Sequence, residues 1–289
     1  MKSAADLQTV VEMTRSIPCA PAILPKLLKL AEGNSSDLGE MEMLINLDTG
    51  LATDVLRTAN SAYFARNQRC ENISDAILRL GSKVLYRIAA STLTGRWLVH
   101  PVRGYGWEPG DLCRHSLCVA ICAETFAKKM HLADASTAYT AGLIHDLGKF
   151  ALAYANFTAL DDITNRVPDE FATWREAEKV ILGFESTQVT KALLENWGFP
   201  STFVSVGYYY QTPSECPGAE RKIVTLIHAA KHVATQIGYG VGVDGFYYEP
   251  DEAALKEVGF KEEEMDAAIP EILSTIQRFI SPSGEIRFT

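Results

Sequence analysis

The sequence predicts an all-α fold, built from many short helices in two halves. Apolar residues recur at spacings of three and four along most of the chain, which is the period of an amphipathic helix. No long stretch alternates apolar and polar residues in the way a half-buried strand does. Gly and Asp residues stand where such helices would begin and end, so the elements can be assigned in order.

The N-terminal half contains clear helical runs. An early run has Leu24 and Leu28 on one face, with Gly33 where the helix would stop. A later run follows Ser74 and Asp75, which can begin a helix. The same spacing recurs at Ile73, Ile77, Leu80, Val84 and Ile88. These runs predict a helical N-terminal subdomain.

A segment rich in Pro and Gly, from His100 to Gly110, is the strongest break in this pattern. Such segments are typical of boundaries between folding units. The break predicts an N-terminal unit of residues 1–105 and a C-terminal unit of residues 106–289.

The C-terminal unit continues the helical pattern. Asp111 is placed to begin a helix, and Gly183 and Gly238 are placed to end two others. The region 240–248 differs, because it is rich in glycine and aromatic residues. It predicts an extended hairpin or a loop.

Composition and charge exclude several classes of function. The net charge is −9 and no basic stripe is present, which argues against nucleic-acid binding. No run is long and apolar enough to span a bilayer, and the first residues lack the pattern of a signal peptide. The six cysteines form no CxxC pair. We therefore expect a cytoplasmic location without membrane association, and protein or small-molecule partners.

A His-Asp pair is the sharpest chemical signal in the chain. His145 and Asp146 are adjacent, and His115 stands thirty positions earlier on its own predicted helix. Two imidazoles and a carboxylate from separate helices can bind one metal or two neighbouring metals. Gly148 and Lys149 follow the pair. These residues predict a metal-binding centre of His115, His145 and Asp146.

These motifs, with others along the chain, resemble the HDOD family, whose fold is related to the HD phosphohydrolases. The resemblance covers nearly the whole sequence. It begins with Ile17-Pro18-Cys-Ala-Pro21, Asn60-Ser61-Ala62-Tyr63 and Ala76-Ile77-Leu-Arg-Leu80-Gly81. It continues with Arg114-His115-Ser116, His145-Asp146-Leu147-Gly148-Lys149, Gly183-Phe184-Glu185 and Leu194-Glu195-Asn196-Trp197-Gly198-Phe199-Pro200.

The resemblance implies an N-terminal helical subdomain packed on a C-terminal HD-like helical core. It also implies an output or scaffolding role in bacterial signalling, with a receiver domain, a kinase or a diguanylate-signalling protein as partner. Asn60 and Ser61 are expected to cap helix ends or to fix the turn before Tyr63. Asp48-Thr49 departs from the usual Asp-Pro of the family, which affects only a local turn.

Several metal ligands of the active relatives are replaced in this chain. Ser186 stands where they have a histidine, and Tyr210-Gln211 stands where they have a His-His pair. By the same alignment their last aspartate ligand falls on Lys231. A protonated lysine has no lone pair to offer a metal. One hypothesis is that the Lys231 ammonium takes part of the vacated cation site and pairs with Asp146.

Alternatives to this hypothesis stay open at the level of sequence. Lys231 can equally be a solvated residue of its helix. His228 and His232 lie on one face of that helix and can replace a lost ligand. Lys149 can contact a phosphate or offset the carbonyls of a helix end.

The sequence therefore favours a non-catalytic signal-transduction module that acts through protein contacts. The alternative is a metal-dependent phosphohydrolase of nucleotides or cyclic dinucleotides, with iron, manganese or zinc at His115, His145 and Asp146 and a phosphate at Lys149. The Gly-Tyr-Pro signature of the HD-GYP phosphodiesterases is absent, which argues against cyclic-dinucleotide hydrolysis. A nucleotide that is bound without being hydrolysed is a third option.

Overall fold

The structure, a computed structural model, describes residues 7–14, 23–33, 38–61, 64, 69–100, 102–155, 159–239 and 242–279. Two predictions fall outside these residues: the family motif at 17–21, and the part of the turn formed by Ala62 and Tyr63. Sixteen α-helices account for most of the described chain. Within it one isolated β-bridge joins Val102 and Trp107, and no strand is formed. The predicted all-α class is confirmed.

Six of the sixteen helices in the described residues precede the break at 100–110. They are α1 Leu7–Thr14, α2 Ile23–Glu32, α3 Leu38–Asn46, α4 Thr49–Ala59, α5 Ile73–Leu80 and α6 Ser82–Leu98. Apolar faces of α2 to α6 pack on one another, as the three- and four-residue spacing predicts. α1 lies against two helices of the C-terminal half. The boundary between residues 105 and 106 stays a prediction.

Ten helices follow the break. They are α7 Asp111–Met130, α8 Ala135–Ile144, α9 Leu147–Tyr154, α10 Ala159–Glu170, α11 Trp174–Ile181, α12 Ser186–Asn196, α13 Ser201–Tyr209, α14 Arg221–Gln236, α15 Glu252–Glu257 and α16 Glu262–Phe279. The long helix α7 packs against α6, α8, α14 and α16 and forms the centre of this half. None of the helices in the described residues combines the length and apolar character needed to cross a bilayer.

Polar caps define where the N-terminal helices begin and end. The Asp48 carboxylate accepts the Leu51 N–H at 2.8 Å at the start of α4, and Thr49 is the first residue of that helix. Asn72, rather than Ser74 or Asp75, caps α5, so this helix starts earlier than the sequence suggested. The cap was misassigned because both Asn72 and Ser74 are residue types that cap helices.

Asn60 has the capping role expected of it. It is the C-cap of α4, and its side-chain amide exchanges two hydrogen bonds with the backbone of Cys70, at 2.8 and 2.9 Å. Arg79 also donates to the Ala59 carbonyl at 3.1 Å. The end of α4 is thereby fixed to the segment that leads into α5.

Helices of the C-terminal half approach one another closely at two glycines. A Cβ atom on Gly142 of α8 would lie 2.7 Å from the Cα of Ala120 in α7. A Cβ on Gly148 of α9 would lie 1.9 Å from the carbonyl oxygen of Ser186 in α12. The Gly148 N–H also donates to Thr190 Oγ1 at 2.9 Å. Gly148 in the sequence motif is therefore explained by helix packing.

The expectation for 240–248 was an extended hairpin or a loop, and the described residues 242–248 form no hairpin. Val243–Tyr247 forms a 3₁₀ helix, which follows Gly242. The Val243 N–H donates to the Tyr105 carbonyl at 2.9 Å, and Gly242 packs so closely on the Trp107 ring that no Cβ would fit. This segment lies against the 102–107 turn instead of pairing with itself.

Candidate functional site

The bend between α8 and α9 brings the His-Asp pair into the core. His145 is the C-cap of α8 and keeps a helical conformation, and Asp146 is the N-cap of α9. His115 lies one turn into α7, the helix against which α8 packs. All three side chains are at least 98% buried. The adjacent histidine and aspartate therefore point into a closed centre from two helix ends.

The three side chains converge as the sequence predicts. The Nε2 atoms of His145 and His115 lie 3.2 and 3.9 Å from Asp146 Oδ2. One ligand atom from each residue lies within 4.8 Å of the others, so the group can hold a metal ion. The Nδ1 atoms face the carbonyls of Gly142 and Tyr239, at 2.7 and 3.3 Å. Both Nε2 atoms are buried without a hydrogen-bond partner among the described residues.

Two lysines also reach the Asp146 carboxylate. Lys149 Nζ lies 2.8 Å from Asp146 Oδ2, and Lys231 Nζ lies 3.2 Å from the same oxygen. Both lysines are as deeply buried as the aspartate. Lys149 donates in addition to Asp244 Oδ2 at 2.6 Å. The ammonium groups thus share the one carboxylate of the predicted metal centre.

A tyrosine hydroxyl donates a hydrogen bond to the other carboxylate oxygen of Asp146. The Tyr210 hydroxyl, at the end of α13, donates to Asp146 Oδ1 and accepts from Gln211 Nε2 at 2.8 Å. The same hydroxyl lies 3.5 Å from Lys231 Nζ. The sequence resemblance predicts that Tyr210 and Gln211 replace the His-His pair of the active relatives. Both oxygens of Asp146 therefore have protein donors.

The pKa shifts follow from this arrangement. Burial alone would raise the pKa of Asp146, but the charges of Lys149 and Lys231 hold it well below its usual value. Burial alone would lower the pKa of Lys149, yet Asp146 and Asp244 hold it well above its usual range. Burial lowers the pKa of Lys231 to about 8 against the attraction of Asp146. Near pH 7 both lysines are therefore charged.

The two histidines carry no charge under the same conditions. Burial lowers the pKa of His115 well below its usual value, and the Lys231 ammonium lowers it further. Burial also lowers the pKa of His145, although Asp146 opposes the shift. Neutral imidazoles have the lone pairs that a metal needs.

The donor set alone would suit a transition metal, but the two lysines do not. At about 4 Å and an effective dielectric constant of about 20, each ammonium would repel a divalent ion by about 8 kcal/mol. Neither lysine has a lone pair to contribute while protonated. The centre does not fit a divalent metal while both lysines are charged.

Sequence reasoning missed Asp244 and Trp107. Asp244 is 95 positions from Lys149 in the chain, and its other oxygen accepts the Trp107 indole N–H at 3.0 Å. The Trp107 ring also packs edge-on against His115, with centroids 5.1 Å apart. Neither residue lies in a local motif. The only signal was the Gly- and aromatic-rich run around Asp244, which was interpreted as a hairpin or loop.

His228 and His232 do not join the cluster of His115, His145 and Asp146 in the described chain. His228 Nε2 accepts the Asp251 N–H at 2.7 Å, while its Nδ1 lies 2.8 Å from the Tyr210 carbonyl. Burial lowers the pKa of His228 to about 4. Both ring nitrogens of His228 thus have protein partners.

A family model identifies the chain. The HDOD domain model matches residues 17–213, which is more than half of the sequence. The chain belongs to the HDOD domain family. A curated relative from Treponema pallidum (strain Nichols), an uncharacterized protein, is 23% identical over 221 residues. That match covers 76% of this chain and 42% of the relative, so the HDOD chain spans less than half of the relative's length.

Solved structures share the fold of this HDOD chain. A protein from Marinobacter aquaeolei VT8 named for signal transduction has a TM-score of 0.72 at 22% identity, over 94% of this chain and 59% of that one. An HDOD domain protein from Geobacter sulfurreducens has a TM-score of 0.67 at 21% identity, over 94% and 98%. A protein from Shewanella amazonensis SB2B named as a phosphohydrolase has a TM-score of 0.64 at 20% identity, over 93% of each chain. At these identities the likeness concerns the fold, which includes the HD-like helical core.

Proposed function

We propose that this chain is a non-catalytic signal-transduction module of bacteria, which acts through protein–protein contacts. The HDOD family and the signal-transduction name of the Marinobacter protein support a signalling role. In this proposal the HD centre is a structural core rather than a site of hydrolysis.

The observation that carries the proposal is the position of Lys231. Its ammonium lies 3.2 Å from Asp146 Oδ2, beside the Lys149 ammonium at 2.8 Å. A hydrolytic centre of this fold needs metal-activated water near that carboxylate. In this chain the Lys231 ammonium pairs with that carboxylate instead. Lys231 is thus the substitute for the metal.

In this proposal the ion-pair network stabilises the packing of the elements around the centre. Asp146 belongs to the bend between α8 and α9, Lys231 belongs to α14, and Asp244 belongs to the 3₁₀ helix Val243–Tyr247. Lys149 joins Asp146 to Asp244. A buried charge that loses its partner is strongly destabilising. The network therefore holds three elements together in place of a metal.

The signalling partners are inferred from the proposed signalling role, and no single residue identifies them. A receiver domain, a kinase or a diguanylate-signalling protein is the class of partner that suits a bacterial output module. A nucleotide is the small ligand that suits the same module. Neither requires turnover at the centre.

One observation favours the alternative, a metal-dependent phosphohydrolase. The Nε2 atoms of His115 and His145 are buried without hydrogen-bond partners in the described part of the chain. A metal would use both nitrogens together with Asp146, and Lys149 would contact the phosphate. This alternative requires Lys231 to lose its proton or to leave the carboxylate.

Turnover measurements separate the two. The wild-type protein would be assayed with bis(p-nitrophenyl) phosphate and with cyclic dinucleotides, in the presence of added Mn²⁺, Fe²⁺ or Zn²⁺. We expect no hydrolysis above that of an Asp146→Asn variant. Metal-dependent hydrolysis that the variant lacks would overturn the proposal.

A further inference from the structure

A cavity of about 260 Å³ opens beside the ion-pair network. Lys149 and Lys231 line it, together with Trp174 and Arg175 from the start of α11 and Tyr247 and Tyr248 from the 3₁₀ helix and the residue after it. Its volume is slightly below the roughly 300 to 1,000 Å³ of pockets for drug-sized ligands. A single ring system with a small substituent fits this volume, whereas a cyclic dinucleotide does not.

Two buried cations beside this cavity have hydrogen-bond donors to spare. A lysine ammonium has three donors. Lys149 uses two of them, on Asp146 and Asp244, and Lys231 reaches Asp146 at 3.2 Å and the Tyr210 hydroxyl only at 3.5 Å. At least one N–H of each ammonium thus has no acceptor among the described side chains and backbone.

Aromatic rings form one wall of this cavity. The Trp174 ring lies beside those of Tyr105 and Tyr247, with centroids 5.6 and 6.2 Å away. Trp174 is only 6% exposed, and its indole N–H is too deeply buried to reach a ligand in the cavity. The rings of Tyr247 and Tyr248 line the cavity as well. A wall of this kind suits a planar ring that can stack on it.

The charges around the cavity do not favour a phosphate. The cations that line it are Lys149, Lys231 and Arg175, and three acidic residues line it as well: Asp244, Glu249 and Asp251. Arg175 is already paired with Glu185 at 2.6 Å. A phosphate dianion needs a surplus of positive charge or a bidentate arginine, and neither is present in this lining. The donors therefore suit a ligand that has acceptors but little charge.

We propose that this cavity binds a planar heteroaromatic base with carbonyl acceptors, of the kind found in a nucleoside, through its ring and carbonyl groups rather than through a phosphate. Its carbonyls accept from Lys231 and Lys149, and its ring contacts the aromatic wall of Tyr247 and Tyr248. The inference rests on the metal-free centre proposed above, because a metal on Asp146 would displace the Lys231 donor. It deepens that proposal by assigning the module a small-molecule input.

Calorimetric titration tests this assignment with defined probes. Uridine and xanthosine would be compared with their 5′-monophosphates, ribose 5-phosphate and inorganic phosphate. We expect both nucleosides, or one of them, to bind, the matching monophosphate to bind within a fewfold of the nucleoside, and the two phosphate probes without a base not to bind. Binding only by phosphate-containing probes, or by none of the probes, would overturn the assignment.

Matched tyrosine variants test the geometry. Tyr247→Leu removes one ring of the aromatic wall, and it should weaken nucleoside binding about tenfold, as expected for one lost stacking contact. Tyr154→Leu changes a tyrosine that does not line the cavity and should leave binding unchanged. Equal affinity in the two variants contradicts the assignment. A Lys231→Met variant with wild-type affinity would contradict it as well.

The metal content of the same samples separates this inference from the proposed function. A metal-loaded wild-type protein contradicts the proposed function, whichever probe it binds. A metal-free protein that binds no nucleoside contradicts only the present inference.

Discussion

Lys231 donates to Asp146 across 85 positions of the chain, with Nζ 3.2 Å from Oδ2 and both side chains at most 4% exposed. The sequence resemblance predicts that Lys231 stands where the HD relatives have a metal-ligating aspartate. In the proposed function, a carboxylate that would bind a cation from solution is replaced by a residue that carries the cation itself. The network around this pair makes several predictions.

Asp244 should be important for stability although no motif marks it. Asp244→Ala leaves Lys149 with one carboxylate and removes the acceptor of the Trp107 indole N–H. We expect a loss of about 3 kcal/mol in the free energy of unfolding, the lower end for a broken buried pair. Urea unfolding measures it. Glu249→Ala, an exposed carboxylate nearby, serves as control and should change the free energy by less than about 0.5 kcal/mol.

Gly148 should tolerate no side chain. Gly148→Ala would place a Cβ 1.9 Å from the Ser186 carbonyl oxygen and force α9 away from α12. Overpacking of this kind costs typically about 1 to 3 kcal/mol, and we expect at least the upper value. The control is Gly39→Ala in α3, where a Cβ has nothing within 4 Å. That helical substitution should stabilise slightly, so equal melting temperatures in the two variants would refute the packing argument.

Stability should depend on pH through Glu178. Burial raises its pKa from 4.5 to about 7, and its oxygens accept from Ser186 and from the Tyr105 hydroxyl. The folded state therefore holds this proton more tightly than the unfolded state does. The stabilisation is full below pH 4.5 and is lost as the pH rises to about 7.

A Glu178→Gln variant isolates this contribution. Between pH 4.5 and about 7 the wild type should lose roughly 3 kcal/mol of unfolding free energy relative to the variant. Urea unfolding at a series of pH values measures the difference. Glu176→Gln, at an exposed position of the same helix, should keep the wild-type dependence. Parallel curves for the wild type and Glu178→Gln would show that folding does not raise the pKa of Glu178.

Local chemistry made much of the fold predictable. Asp111 begins α7 as expected, and the positive φ angles of Gly183 and Gly238, +83° and +76°, explain why glycine follows α11 and α14. The start of α5 was misplaced because Asn72 and Ser74 are equally good caps by residue type. Spacing alone cannot rank them.

The site was predictable only where a motif records it. His115, His145 and Asp146 were found because a family pattern marks them, and Lys231 because it occupies a ligand position in that pattern. Asp244 and Trp107 contribute through contacts between segments more than 90 positions apart, and no local rule registers such contacts. The 240–248 region was interpreted from its composition alone. Composition cannot predict that Gly242 packs against Trp107.

Metal stoichiometry tests the central claim most directly. Wild-type protein, purified anaerobically without chelator, would be analysed by inductively coupled plasma mass spectrometry beside Lys231→Asp and Lys222→Asp. Lys222 is exposed on the same helix and controls for the change of charge. We predict substoichiometric iron, manganese and zinc in the wild type and in Lys222→Asp, and a gain of metal in Lys231→Asp. One equivalent of metal in the wild type, lost in Asp146→Asn, would contradict the account.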